Sequence, residues 1–197
     1  MKENKYGKEK RGITIAKRGM AAALVIILIC MVSSCGKKSD DTEALGKVVA
    51  GLGDDELFAI VEAGAKHSIL LTSDQTYDDG NGNQASILCE VYYEEEDGEA
   101  KHLGTLESLG TAYPIAYDKS GLYTAGGHEV KRYEIDKSGL LVLAEGVYEI
   151  YDENGDATYT RETGVGVETV TEKEFMTMVD AYGKATVVNF RYGATDA

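Results

Sequence analysis

Short segments of alternating apolar and polar residues dominate the chain from about residue 66 to residue 170, and turn signals separate them. Such alternation is typical of strands that bury one face, and the many Tyr and few Pro residues of this region favour the same structure. The candidate strands are 67–72, 86–94, 100–108, 112–117, 122–126, 129–135, 140–150, 157–162 and 165–170. Because the connections between them are short, we predict an antiparallel sheet built from hairpins.

A repeated turn sequence supports this interpretation. Asp118-Lys119-Ser120-Gly121 recurs as Asp136-Lys137-Ser138-Gly139, and Asp152-Glu153-Asn154-Gly155 follows it. In each, the Asp side chain can accept backbone N–H bonds and the Gly can adopt the left-handed conformation that closes a hairpin. The spacing is that of hairpins and is too short for a propeller array, although two blade-like units remain an alternative.

Helical patterns lie on the N-terminal side of the β-rich region. A first helix is predicted from about Thr42 to Ala50, where apolar residues repeat at helical spacing. A second is predicted from the cap residue Asp54 to the stop at Gly64, with an apolar stripe that begins at Leu57.

The C-terminal part predicts one more helix and one more strand. Residues Thr171 to Glu174 form a capping box, and an apolar stripe from Phe175 to Tyr182 follows it. Residues 186–192 then alternate as a last strand. The predicted fold is therefore α+β: an antiparallel, curled β-meander of about 7–9 strands with two N-terminal helices and one C-terminal helix followed by a last strand.

A continuous apolar run stands near the N-terminus. Residues 1–19 are basic and polar, and thirteen apolar residues extend from Met20 to Val32. As a helix this run rises only about 20 Å, which is short of the roughly 30 Å hydrocarbon core of a bilayer. It has the length of the hydrophobic part of a signal peptide.

The residues that follow the run resemble the lipobox of bacterial lipoproteins. Val32-Ser33-Ser34-Cys35 matches its pattern of an aliphatic residue, two small residues and a Cys, with Val32 where Leu is commoner. Cys30 does not fit the motif, because the larger Ile29 precedes it.

The resemblance implies a defined processing route. A diglyceride would be attached to the sulfur of Cys35, and a signal peptidase would cut before this residue. Two acyl chains, such as palmitate, are enough for stable anchoring. The implied organisation is a signal peptide at 1–34, a lipidated tether at 35–41 and a single exported domain at 42–197. An uncleaved anchor and an ordinary secretory signal are the alternatives.

We expect the resulting protein to lie at the extracytoplasmic face of the cell membrane, with membrane lipid as its partner through acylated Cys35. The long basic segment before the apolar run favours a Gram-positive envelope slightly.

The charge of the exported part restricts its partners. Residues 1–34 contain seven basic and two acidic residues, so the 163 residues from Cys35 onward contain 13 basic and 32 acidic ones, a net charge of −19. Polyphosphates repel such a surface, which argues against nucleic-acid binding. Cys89 alternates with apolar neighbours and is predicted to be a core residue.

Two loops carry oxygen ligands at alternate positions, as calcium loops do. They are Asp79/Asn81/Asn83, with Glu90 at the twelfth position of the pattern, and Asp152/Asn154/Asp156. Gln84 and Ala157 stand where an EF-hand requires Gly, so acidic hairpin loops are the favoured interpretation and calcium binding stays open. We predict no metal site and no cofactor.

The sequence also contains no motif that predicts catalysis. No nucleophile elbow, zinc-binding helix or phosphate-binding loop occurs, and His67, His102 and His128 lack the spacing of metal ligands. The acidic run from Glu94 to Asp97 is predicted to be a solvated hairpin tip. The leading hypothesis is a non-catalytic binding or interaction domain. The alternatives are an envelope hydrolase that uses acidic residues and an accessory subunit of an envelope complex.

Overall fold

The computed structural model describes residues 43–64, 68–95 and 97–193. The predicted signal peptide, the lipobox and the tether lie outside the described residues, and so does His67. The described chain is mostly antiparallel β-sheet with two helices, in agreement with the coarse prediction. Neither helix is long and apolar enough to cross a bilayer.

Helix α1 comprises Glu43–Ala50 and helix α2 comprises Glu172–Lys184. The strands are β1 (Leu57–Val61), β2 (Ile69–Ser73), β3 (Thr76–Asp78), β4 (Gln84–Ser86), β5 (Leu88–Glu94), β6 (Ala100–Glu107), β7 (Ala116–Asp118), β8 (Gly121–Gly126), β9 (Glu129–Ile135), β10 (Leu141–Tyr151), β11 (Ala157–Thr163), β12 (Gly166–Val170), β13 (Thr186–Val187) and β14 (Arg191–Tyr192).

The strands form two main sheets and one separate hairpin. The smaller sheet has the order β14-β1-β2-β5-β6, and the larger sheet has the order β12-β11-β10-β9-β8-β7-β13. Strands β3 and β4 pair with each other. All neighbouring strands are antiparallel, and β7 to β12 follow one another across the larger sheet in chain order.

One hydrophobic core lies between the two sheets. It contains Leu71 and Val91 of the smaller sheet and Leu122 of the larger sheet, all at most 1% exposed. The members of this core that belong to the larger sheet come from β7, β8, β9 and the beginning of β10. The smaller sheet therefore covers one part of the larger sheet only.

The outer faces of the sheets carry one helix each. Helix α1 packs Leu45 and Val49 against Phe58 and Leu70 of the smaller sheet. Helix α2 packs on the outer face of the larger sheet, where a second set of buried side chains forms a core. The members of that core are Ala116, Tyr123, Ala125, Val130, Val147, Phe175 and Met178.

The helix predicted from Asp54 to Gly64 is wrong, because residues 57–61 form strand β1. Both faces of this strand are covered: Leu57, Ala59 and Val61 enter the core between the sheets, whereas Phe58 packs against α1. A strand buried on both sides has an uninterrupted apolar sequence, and a run of this length does not distinguish a helix from a strand.

The predicted last strand is divided between the two sheets. Strand β13 pairs with β7 of the larger sheet, and β14 pairs with β1 of the smaller sheet. Between them, Val188 and Phe190 are buried in the inter-sheet core, as the alternation predicted.

The three predicted turns join β7 to β8, β9 to β10, and β10 to β11, as expected. Gly121, which ends the first turn, is the most constrained of their glycines. A Cβ atom on Gly121 would overlap the carbonyl oxygen of Tyr133 on the neighbouring strand β9. Since that oxygen belongs to the backbone of the sheet, no side-chain movement can relieve the overlap.

We therefore expect Gly121→Ala to lower the free energy of unfolding by about 2 kcal/mol or more. Gly183→Ala in helix α2 is the matched control, because its Cβ would meet nothing within 4 Å. In a helix this change is expected to stabilise by about 0.5–1 kcal/mol. Urea unfolding measures both values, and equal effects of the two substitutions would contradict the overlap inferred at Gly121.

Candidate functional site

Cys35, at which the sequence predicts lipidation, lies outside the described residues. Cys89 lies in the core between the sheets and is 1% exposed, which confirms its prediction as a core residue. Burial raises the pKa of its thiol strongly, so the reactive thiolate is suppressed. Cys89 is therefore a packing residue.

The loop at Asp79 uses its oxygen atoms for its own backbone. Asp79 Oδ1 accepts hydrogen bonds from the backbone N–H groups of Asn81, at 2.8 Å, and Asn83, at 3.1 Å. Asp79 Oδ2 accepts a bond from the side-chain amide of Asn83 at 2.8 Å. These bonds, with that from the Asn83 side chain the largest, lower the pKa of Asp79. The loop joins β3 to β4, a hairpin that the sequence analysis did not predict.

The loop at Asp152 is built in the same way between β10 and β11. Asp152 Oδ1 accepts bonds from the backbone N–H groups of Asn154, at 2.8 Å, and Asp156, at 2.9 Å. Among the described residues, no three His, Cys, Asp or Glu side chains are placed to hold a metal ion. Each loop joins two paired strands and is held by bonds to its own Asp, which is the geometry of an acidic hairpin turn.

The two described histidines bind carboxylates on different sheets. His102 Nε2 lies 2.5 Å from Glu90 Oε2. Both residues belong to the smaller sheet, so Glu90, which stands at the twelfth position of the calcium-loop pattern, lies away from the Asp79 turn. His128 Nδ1 lies 2.8 Å from Glu149 Oε2 on the larger sheet. The hairpin between β5 and β6 closes at the predicted place, where Glu95 N–H donates to the carbonyl oxygen of Glu99. Glu94 differs from the predicted solvated tip, because it is the last residue of β5 and is only 8% exposed.

Arg161 on β11 connects three carboxylates from three other elements. Its Nε lies 3.0 Å from Glu145 of β10, its Nη1 3.2 Å from Glu168 of β12 and its Nη2 3.5 Å from Glu174 of α2. Glu174 also completes the predicted capping box with Thr171. This network joins the N-terminal end of α2 to the end of the larger sheet.

Strands β10, β11 and β12 have a second face, opposite to the one that carries Arg161, and the smaller sheet does not cover it. No residue of β11 or β12 belongs to the inter-sheet core. We call this surface the open face. Its side chains, all on one side of the sheet by register, are Tyr148, Ile150, Thr158, Thr160, Glu162, Val167 and Thr169, with Gly146 between them.

Tyr148 lies across Gly146 at the centre of the open face. A Cβ atom on Gly146 would stand 2.9 Å from Tyr148 Oη and 3.2 Å from the ring, so only Gly leaves room for this placement. Tyr148 Oη donates a hydrogen bond of 2.6 Å to Glu162, and the ammonium group of Lys131 lies 5.5 Å from the ring centre. Burial, followed by the bond to Glu162, raises the pKa of Tyr148. The tyrosine is therefore a fixed, protonated part of the surface.

Apart from Tyr148 and Glu162, the side chains of the open face are apolar or carry hydroxyl groups. Ile150 is 53% exposed and Val167 is 68% exposed. Thr158 and Thr169 are exposed as well. An accessible sheet surface with apolar contacts, hydroxyl groups and one fixed aromatic ring can bind a partner, but it presents no activated nucleophile.

The alternation in the sequence predicted the strands of this surface but did not reveal the surface itself. The sequence does contain one signal of this surface. Gly146 lies inside a predicted strand, two residues before Tyr148, and a Gly inside a strand marks a place where another group approaches closely. Which side of each strand would stay uncovered could not be read from the chain.

Comparison of this chain with protein families, with curated proteins and with solved structures finds no match.

The Asp152 turn predicts a dependence of stability on acid. Backbone bonds from Asp156 and Asn154 lower the pKa of Asp152 below its unfolded value. Its contribution is therefore present above the unfolded pKa of about 3.9 and is lost as the pH falls through the folded pKa. We expect Asp152→Asn to reduce the slope of stability against pH between about pH 5 and pH 2.5.

Glu153→Gln is the matched control for this experiment, because it removes a charge from the same turn and leaves the Asp152 bonds in place. Urea unfolding at a series of pH values gives both slopes. If Asp152→Asn and the parent chain had the same slope, the role of the carboxylate would be refuted.

Tyr148→Phe tests the fixed position of the aromatic ring. The substitution removes the hydrogen bond to half-buried Glu162 and keeps the ring over Gly146. We expect a loss of about 1 kcal/mol in the free energy of unfolding. Tyr192→Phe is the control, since Tyr192 is 53% exposed, and it should change stability by less than about 0.5 kcal/mol. Equal losses of unfolding free energy in the two variants would contradict the hydrogen-bonded position of Tyr148.

Proposed function

We propose that the chain is the precursor of a bacterial lipoprotein that carries a binding domain at the extracytoplasmic face of the cell membrane. The observation that carries this proposal is the lipobox Val32-Ser33-Ser34-Cys35. It follows an apolar run too short to cross a bilayer, and a basic segment precedes that run. Lipid on Cys35 is the anchor, and residues 35–41 are the tether.

The open face supports a binding role for the exported domain. It exposes Ile150 and Val167 on a sheet whose other face is covered by α2. Exposed apolar side chains on a rigid sheet are a surface on which a partner can bury area. Membership in an envelope complex is one form of this role.

We infer that the larger sheet is curled, as the sequence predicted. Its strand β10 carries a register shift between Leu143 and Glu145, which inserts one extra residue opposite β9. Such a bulge bends a strand and increases its twist. The bend lies beside the open face and gives it curvature.

Glu174, one of the three carboxylates around Arg161, does not have the property of a general acid. A general acid requires a carboxyl group whose pKa is raised. The bonds from Thr171, assisted by Arg161, lower the pKa of Glu174 instead. A hydrolase that uses acidic residues is accordingly the weaker candidate.

Expression of the full chain in a bacterial host tests the anchor. We expect mass spectrometry of the membrane-bound protein to find a first residue Cys35 that bears acyl chains, and we expect radiolabelled palmitate to enter the protein. Cys35→Ala should abolish the label and accumulate the uncut precursor. Cys30→Ala is the matched control, because Cys30 lies within the apolar run and outside the motif. An unlabelled parent chain, or a label lost equally with Cys30→Ala, would refute the proposal.

A further inference from the structure

Strand β12 forms one edge of the larger sheet, next to the open face. In the described part of the chain it pairs with β11 alone. All its residues from Gly166 to Thr169 are exposed, and Val165 in the loop before it is 100% exposed. A sheet edge with accessible backbone groups is a template for an additional strand.

The register shows which backbone groups face outward. The two-residue loop 164–165 is closed by Thr163 and Gly166. A two-residue hairpin loop is closed by a hydrogen-bonded pair, and hydrogen-bonded and non-hydrogen-bonded pairs then alternate along the two strands. The pairs Glu162/Val167 and Thr160/Thr169 are therefore non-hydrogen-bonded. The N–H and C=O groups of Val167 and Thr169 therefore point away from β11, towards the open edge.

The other edges of the two sheets are protected. Strand β6 has a register shift opposite β5, a Gly104 with φ of +128° and the charged Lys101. Strands β13 and β14 have two residues each. Bulges, lysines and short lengths are the devices that prevent strand addition, and β12 has none of the three.

The chemistry around β12 specifies a basic occupant. Glu168 pairs with Arg161 through Oε1, yet its side chain is 64% exposed and lies on the α2 side of the edge, whereas Val167 and Thr169 point to the open face. A strand added here would place alternate side chains beside Glu168 and beside Val167 and Thr169. The exported part has a net charge of −19, so a cationic segment is attracted and a second copy of this chain is repelled.

We infer that the β12 edge binds an extended, basic segment of a partner protein by strand addition, with Lys or Arg beside Glu168 and β-branched residues over the open face. This inference rests on the proposed binding role. Backbone bonds to Val167 and Thr169 supply affinity, and the alternation of basic and β-branched side chains supplies specificity.

The test uses the full chain in detergent and a labelled peptide in which Lys and Val alternate. We expect binding by fluorescence anisotropy that weakens with salt, no binding of the corresponding Glu/Val peptide, and slower hydrogen exchange at Val167 and Thr169. Val167→Pro removes an outward N–H that the β11 ladder does not use, so the sheet is retained. It should weaken binding about tenfold, the effect of one lost hydrogen bond.

Val167→Thr is the matched control, because it keeps the N–H group and a β-branched side chain, and it should bind like the parent chain. Glu168→Lys gives a second test that leaves the backbone unchanged: it should weaken the Lys/Val peptide and strengthen the Glu/Val peptide.

Three results would overturn the inference: unchanged binding in both Val167→Pro and Glu168→Lys, protection at another edge such as β6, or peptide-free protection of β12 that grows with protein concentration. The last would identify a second copy as the occupant. Each leaves the acyl label on Cys35 unaffected, so failure of the strand-addition surface and failure of the membrane anchor are distinguishable.

Discussion

Strand β8 supplies alternate side chains to two different cores, and the remaining structure depends on this division. Leu122 enters the core between the sheets, whereas Tyr123 and Ala125 enter the core under α2. With every residue from Gly121 to Gly126 buried, a shift of one residue in its pairing would exchange the two sets of side chains. The turn before β8 fixes the register. Asp118 accepts bonds from the backbone and the side chain of Ser120, and Gly121 passes under the carbonyl of Tyr133 without a side chain.

The open face follows from the different extents of the two sheets. The larger sheet has seven strands and the smaller sheet five, and the core that they share ends at the beginning of β10. Helix α2 covers the other side of β10 and β11, through Val147 and Tyr159. These strands are therefore packed on one side although their other face is exposed. Arg161 also forms an ion pair with Glu145 of β10 and a charge-assisted hydrogen bond to Glu168 of β12. A face that is supported from behind and left uncovered in front has the arrangement that the proposed binding role requires.

Sequence patterns were sufficient where a local rule determines the structure. The Asp-x-x-Gly turns, the capping box at Thr171 and the alternation in β8 to β12 each depend on residues close in the chain. Sequence patterns failed where the structure is determined by packing between elements that are distant in the chain. The apolar run of β1 is a strand because α1 and the inter-sheet core cover its two sides, and β3 and β4 pair within a segment rich in Asp, Asn and Gly. The open face belongs to the second kind, since its exposure depends on how far the smaller sheet reaches.

An unprotected edge strand is normally an aggregation hazard, and the charge of this chain changes that balance. Residues 35–197 carry a net charge of −19, so identical copies repel one another, and this repulsion shields β12 from self-pairing although the strand has no Lys, Pro or bulge. This shielding is selective, because the same negative charge that repels identical copies attracts a cationic segment. Salt weakens both effects together, within a Debye length of about 8 Å at physiological ionic strength. The acidic composition that opposes pairing between copies is therefore also the basis of the proposed preference of the β12 edge for a cationic partner.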